Sequence, residues 1–174
     1  WHKKSILILL MKKELQIFTA IFLSLAASRF IPHPENFTSL LALSFYVPAL
    51  LGIRYLPFLI ISFVITDLII GYHNLTHWTW GSVFLIGFLP LYFKGSFKLR
   101  VPGALSGAVI FFLITNLGVW STGQYGLNFE GLIICYTLAI PFFTASILST
   151  LLFSLLIEGT YYLYKIKFLK TKKS

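Results

Sequence analysis

Charge is what this sequence lacks most. Only 11% of its 174 residues are charged, against 57% hydrophobic, and its mean hydropathy is +0.86. Soluble domains carry roughly 25% charged residues, so the polar surface of a dissolved globule is missing. Acidic residues are the scarcest, five Asp and Glu against 14 Lys and Arg. The net charge of +9 does not describe a nucleic-acid-binding face, because the basic residues fall between and beyond apolar runs. Cysteine is nearly absent too. The single Cys135 excludes an intramolecular disulfide, and its place inside an apolar run suits a small core residue.

What the chain does have is a series of apolar runs. Divided at their Pro, Gly and polar breakers, they predict an all-α integral membrane protein. The expected form is a compact bundle of about six transmembrane helices, over 15–31, 37–53, 56–71, 79–93, 103–119 and 132–157. A bilayer core of about 30 Å needs roughly 20 apolar residues per helix, and several runs are shorter. Those helices are expected to begin in the interface or to be shielded by neighbours. Pro48 and Pro90 predict bent or broken helices, and Pro141 predicts a kink or a late start in the last run. One transmembrane domain, 15–157, is expected between cytoplasmic tails at 1–14 and 158–174. Within the first tail, WHKKSILILL precedes MKKELQ, which looks like a natural start. Its short apolar stretch lacks the small-residue cleavage site of a signal peptide and is expected to lie along the membrane surface.

Basic residues orient the bundle. With the N-terminus inside, the inner segments hold Lys3, Lys4, Lys12 and Lys13, then Arg54, then Lys94, Lys98 and Arg100. They end with Lys165, Lys167, Lys170, Lys172 and Lys173, which leaves only Arg29 outside. Positive charge kept on the cytoplasmic side sets orientation. The pattern fits an even number of spans with both termini inside a plasma membrane.

The remaining polar residues then gather in the outer loops. SRFIPHPENF (28–37) supplies Arg29, His33, Glu35 and Asn36, with Pro32 and Pro34 ending the first helix. The second loop supplies His73, Asn74, His77, Trp78 and Trp80, with Asp67 about a turn inside the preceding helix. The third supplies Trp120, Gln124, Tyr125, Asn128 and Glu130, with Asn116 just inside its helix. Ionisable groups within a span usually face a bundle interior or a wet cavity. Asp67 is therefore either a ligand contact, a cap or the partner of Arg29. The candidate substrate-binding set is Arg29, His33, Asn36, Asp67, His73, Asn116 and Trp120. The tryptophans also suit an interfacial aromatic belt. His73 and His77 have an i, i+4 spacing that can ligate a metal, with His33 and Asp67 as further candidates. Enzyme chemistry is not expected: Ser106 lies at the inner end of its span, a helix length from the outer histidines, and no cofactor motif is present. On the first helix Ala20, Ser24 and Ser28 form a small-residue stripe fit for close helix packing, within the bundle or against a partner.

Four segments, SRFIPHPENFT, ITDLIIGYH, FFLITNLGVW and GLIICYTLAIPFF, closely resemble an uncharacterised bacterial family of proposed transport proteins. That family is similar to the S components, the substrate-binding subunits, of energy-coupling factor (ECF) vitamin transporters. The resemblance covers about 15–157. It implies a six-helix, S-component-like bundle that takes a vitamin or metal from outside into a pocket covered by the three outer loops. It also implies a transmembrane coupling subunit with ATPases, docked on the first helix. There the usual Ala-x-x-x-Ala is replaced by Ala20 and Ser24. The expected function is a substrate-binding subunit for uptake of a small vitamin-like solute. The alternatives are a non-transporting accessory subunit of a larger membrane complex and a divalent-metal uptake component. Outer-side acids (Glu35, Asp67, Glu130) outnumber Arg29, which favours a neutral or weakly cationic flat heterocycle over an anion.

Overall fold

A computed structural model describes residues 2–93 and 95–171, with side chains over 8–93 and 95–167. Lys94, Lys172 and Lys173, which the orientation argument counts, lie outside the described residues, as do the side chains of Lys3, Lys4 and Lys170. The described residues are helical, without strands. Among them seven α-helices follow one another: α1 (His2–Phe30), α2 (Leu40–Leu50), α3 (Leu56–Ile70), α4 (Thr76–Ile86), α5 (Phe97–Ser121), α6 (Phe129–Leu138) and α7 (Ile140–Thr171). Short 3-10 turns precede α3 (Ile53–Tyr55) and follow α4 (Leu89–Leu91).

Local chemistry accounts for the breaks. Gly52 and Gly71, both at positive φ, end the α2 and α3 segments, a conformation that only Gly adopts freely. Pro90 opens a separate turn after α4, and Pro48 sits in the last turn of α2. Asn128 caps α6 by accepting a hydrogen bond from the Gly131 N–H at 2.8 Å. At Pro141 the late start is what occurs. The run expected at 132–157 divides into α6 and α7, and Ala139 joins them.

α5 is the centre of the bundle and packs on α2, α4, α6 and α7, while α1 lies chiefly against α3. One core cluster joins α1, α2, α3 and α4 through Leu25, Leu40, Leu59, Phe63 and Val83. A second joins α2, α4 and α5 through Phe45, Ile86, Ala104 and Ala108. Small residues on α5 let its neighbours approach: a Cβ at Gly103 would lie 2.6 Å from the Phe45 ring.

Among the described residues, three segments are long and apolar enough to cross a membrane: Ile53–Ile70, Phe97–Ser121 and Ile140–Lys167. α2 and α4 have 11 residues each, about 16 Å of helix, and are shorter than the runs 37–53 and 79–93 suggest. The first span is also less apolar than expected, because Lys12, Lys13, Glu14 and Arg29 bracket its uncharged stretch. Both expected tails continue as helix: α1 is helical from His2, and α7 runs on to Thr171.

Candidate functional site

The connections after α1, α3 and α5 meet at one end of the bundle, called upper here. The first contains Asn36 at φ 60, with the Phe37 N–H donating to the Pro34 carbonyl at 3.0 Å. It is tied to α7 by Ser149, whose hydroxyl donates to the Asn36 carbonyl at 3.4 Å. The third is tied back to α5 by the Trp120 indole, which donates to the Asn128 carbonyl at 3.3 Å.

Between these connections lies a cavity of about 360 Å³. Glu35 and Asn36 contribute from the first connection, His73 from the second and Tyr125 from the third. Its floor is aromatic: Phe111 and Phe112 from α5, Phe142 and Phe143 from α7. The Phe112 and Phe143 rings lie 4.5 Å apart, centroid to centroid. Asn116 commits its Nδ2 to the Phe112 carbonyl at 2.8 Å, which leaves its Oδ1 as an acceptor. Cys135 is buried, lines the same cavity and directs its thiol at the Asn116 carbonyl.

A second cavity of about 230 Å³ adjoins the first and shares Asn36, Phe111 and Ser146 with it. Arg29 and His33 are in its wall. The guanidinium of Arg29 stands over the Phe63 ring, 4.7 Å from its centroid, and donates through Nη2 to Asp67 Oδ1 at 2.5 Å. Its Nη1 is buried and has no hydrogen-bond partner. Asp67 Oδ2 accepts from the Trp80 indole at 2.6 Å. Both carboxylate oxygens are thus engaged within the bundle.

The candidate residues therefore sort into three groups. Asn36, His73 and Asn116 share the larger cavity, and Arg29 and His33 share the smaller. Asp67 and Trp120 line neither, and instead tie helices and connections together. Among the described residues no three His, Cys, Asp or Glu side chains are grouped as metal ligands. His33, His73, His77 and Asp67 are thus not brought together. The small-residue stripe divides: Ala20 and Ser24 are exposed, while Ser28 is half-buried and its hydroxyl lies 2.7 Å from that of Ser39.

Sequence reasoning missed a second buried ion pair at the opposite, lower end. Glu158 stands at the start of the expected C-terminal tail, within α7. It is buried on α7 and takes a bidentate pair from Arg100 on α5, Nε to Oε1 at 2.7 Å and Nη2 to Oε2 at 2.6 Å. Arg100 Nη1 donates to the Gly95 carbonyl. Both residues line a lower cavity of about 510 Å³, together with Ser96, Phe97, Tyr161 and Lys165. The pair's signal was a lone Glu four residues beyond a Ser and eight beyond a Thr in an otherwise apolar run.

Among the described residues, fold and site together define a helical bundle with three segments able to cross a membrane and lined cavities at both ends. The chain belongs to a family of unknown function (DUF6580), which matches over residues 10–172. No curated protein and no solved structure matches it.

Proposed function

We propose that the chain is a multi-pass membrane protein that binds a small vitamin-like solute at its upper end for uptake. The observation that carries this reading is the larger upper cavity, assembled from all three upper connections and lined by aromatic rings, two amides and one acid. Pockets of this kind, mostly apolar with a few polar groups, are typical of small-molecule sites. An accessory subunit with a filled bundle would have no use for it.

Membrane insertion is supported by the three long segments, of which only 22–39% of each most apolar stretch is buried within the chain. The rest is apolar surface of a size that soluble monomers rarely expose. α1, α2 and α4 complete a six-pass bundle, their short apolar lengths covered by α3 and α5. The basic lower end faces the cytoplasm with both termini, in a bacterial plasma membrane. Exposed Ala20 and Ser24 would dock a coupling subunit with ATPases, in keeping with the resemblance to S components. The chain itself carries no phosphate-binding loop.

The site also refines the solute class. Among the described residues Glu35 is the one acid in the larger cavity's wall, and nearby Arg29 is paired with Asp67. That suits a neutral or weakly cationic ring stacked on Phe112 and Phe143, with cation–π or stacking contacts worth roughly 0.5–2 kcal/mol. Thermal unfolding across a panel of vitamins, their precursors and divalent metals tests this. Stabilisation by a neutral or cationic heterocycle is expected. Asn116→Ala should weaken it about fivefold, the equivalent of about 1 kcal/mol for one hydrogen bond. Selective stabilisation by a multiply anionic compound, or by nickel or cobalt alone, would overturn the solute class.

A further inference from the structure

Hydroxyls on these helices commonly donate to a carbonyl three or four residues back, as Ser44, Ser62, Thr66, Ser82, Thr115 and Thr160 do. Thr150 and Ser154 on α7 do not. Both residues are fully buried, and neither hydroxyl has a hydrogen-bond partner. The buried Tyr46 hydroxyl on α2 is a third such group. It lies close enough to Ser154 and Glu158 to interact with both, and forms a well-shaped hydrogen bond with neither.

These groups share one line. Ser146, Thr150, Ser154 and Glu158 follow at four-residue spacing, so they stack along one face of α7. Ser146 lines both upper cavities and Glu158 lines the lower one. The file spans about 18 Å in steps of about 6 Å, a gap that one water molecule bridges between two hydroxyls. Leaving a buried hydroxyl unsatisfied is unfavourable, and water at Thr150, Ser154 and Tyr46 would satisfy all three.

We propose that this file is a proton path through the bundle, joining the upper and lower cavities and using Glu158 as its proton-accepting group. A proton relayed along water at Thr150 and Ser154 forms an O–H bond on the Glu158 carboxylate, and the pair with Arg100 loosens. Transfer of that proton to water in the lower cavity restores the carboxylate and the pair. Arg100 from α5 and Tyr46 from α2 face the carboxylate, and Tyr161 and Lys165 of α7 share its cavity wall. The path rests on the membrane-spanning reading but needs no particular solute.

The test uses the purified full chain in pyranine-loaded vesicles, with valinomycin clamping the potential and an external acid step. Internal acidification several-fold faster than in protein-free vesicles is expected. Thr150→Val/Ser154→Ala should return it to the protein-free rate. That double variant removes two unpartnered hydroxyls without adding bulk, so it is expected to melt at or above the wild-type temperature. Glu158→Gln should abolish the flux as well. Embedded wild-type protein with no flux above the protein-free rate, or undiminished flux in the double variant, overturns the path alone. Protein that a carbonate wash strips from the vesicles overturns the membrane reading and the path with it.

Discussion

Glu158→Ala is expected to destabilise the protein by about 3–5 kcal/mol, the loss found when one partner of a buried ion pair is removed. Arg100 and Glu158 are both nearly excluded from solvent, with side chains 11% and 8% exposed. Without the carboxylate, two of the three guanidinium nitrogens lose their acceptor, and the Gly95 carbonyl alone remains. Thermal unfolding in detergent should fall by roughly 10 °C, at a few degrees per kcal/mol for a chain of this size. Arg100→Met/Glu158→Leu should recover most of the loss, because it removes both buried charges and keeps their volume. An unchanged melting temperature in Glu158→Ala would mean that the pair does not hold α5 and α7 together.

Asp67→Ala should be nearly as costly, again about 3–5 kcal/mol, because it strands two donors at once. Arg29 would lose its one ion-pair partner while its Nη1 is already unpaired, and the Trp80 indole would lose its acceptor. Trp80→Phe isolates one of these bonds and should cost about 1.5–3 kcal/mol, the range for a hydrogen bond to a charged group. The pair of variants separates two roles for Asp67. A positioning role lowers the melting temperature of Asp67→Ala strongly and affects solute binding only through the displaced α1 and α4. A direct contact with the solute would abolish binding in Asp67→Asn at an unchanged melting temperature.

Several features were legible in the sequence because they depend on local pattern. The apolar runs gave helices at the expected places, and Pro90 and Pro141 marked real breaks. The gathering of the three polar connections followed from alternation alone, and it brought Asn36, His73 and Asn116 into one cavity wall. Other features depended on how helices rotate about their axes, which composition does not reveal. The same outward-side logic selected Asp67 and Asn116, yet helix rotation turns Asp67 into the α1–α3–α4 contact and Asn116 into the cavity. Glu158 was assigned to a basic tail because Lys165 and the lysines beyond it dominate that stretch. The four-residue spacing from Ser146 to Glu158 was visible but carried no weight until burial and missing partners singled it out. Helix length misled in the other direction: α2 ends just before Gly52 at positive φ, and α4 ends at Ile86, although the apolar composition runs on to Phe93.

The central claim is that the upper cavity holds a small solute, and native mass spectrometry of the purified full chain tests it most directly. Thr115 lines the cavity, and its hydroxyl bonds only to the Phe111 carbonyl of its own helix, so Thr115→Phe fills the cavity without breaking a contact between helices. After incubation with the stabilising compound, the wild type should retain one small molecule per chain, and Thr115→Phe should retain none. A wild-type spectrum holding only the bare chain and lipid, or equal retention by Thr115→Phe, would contradict the account.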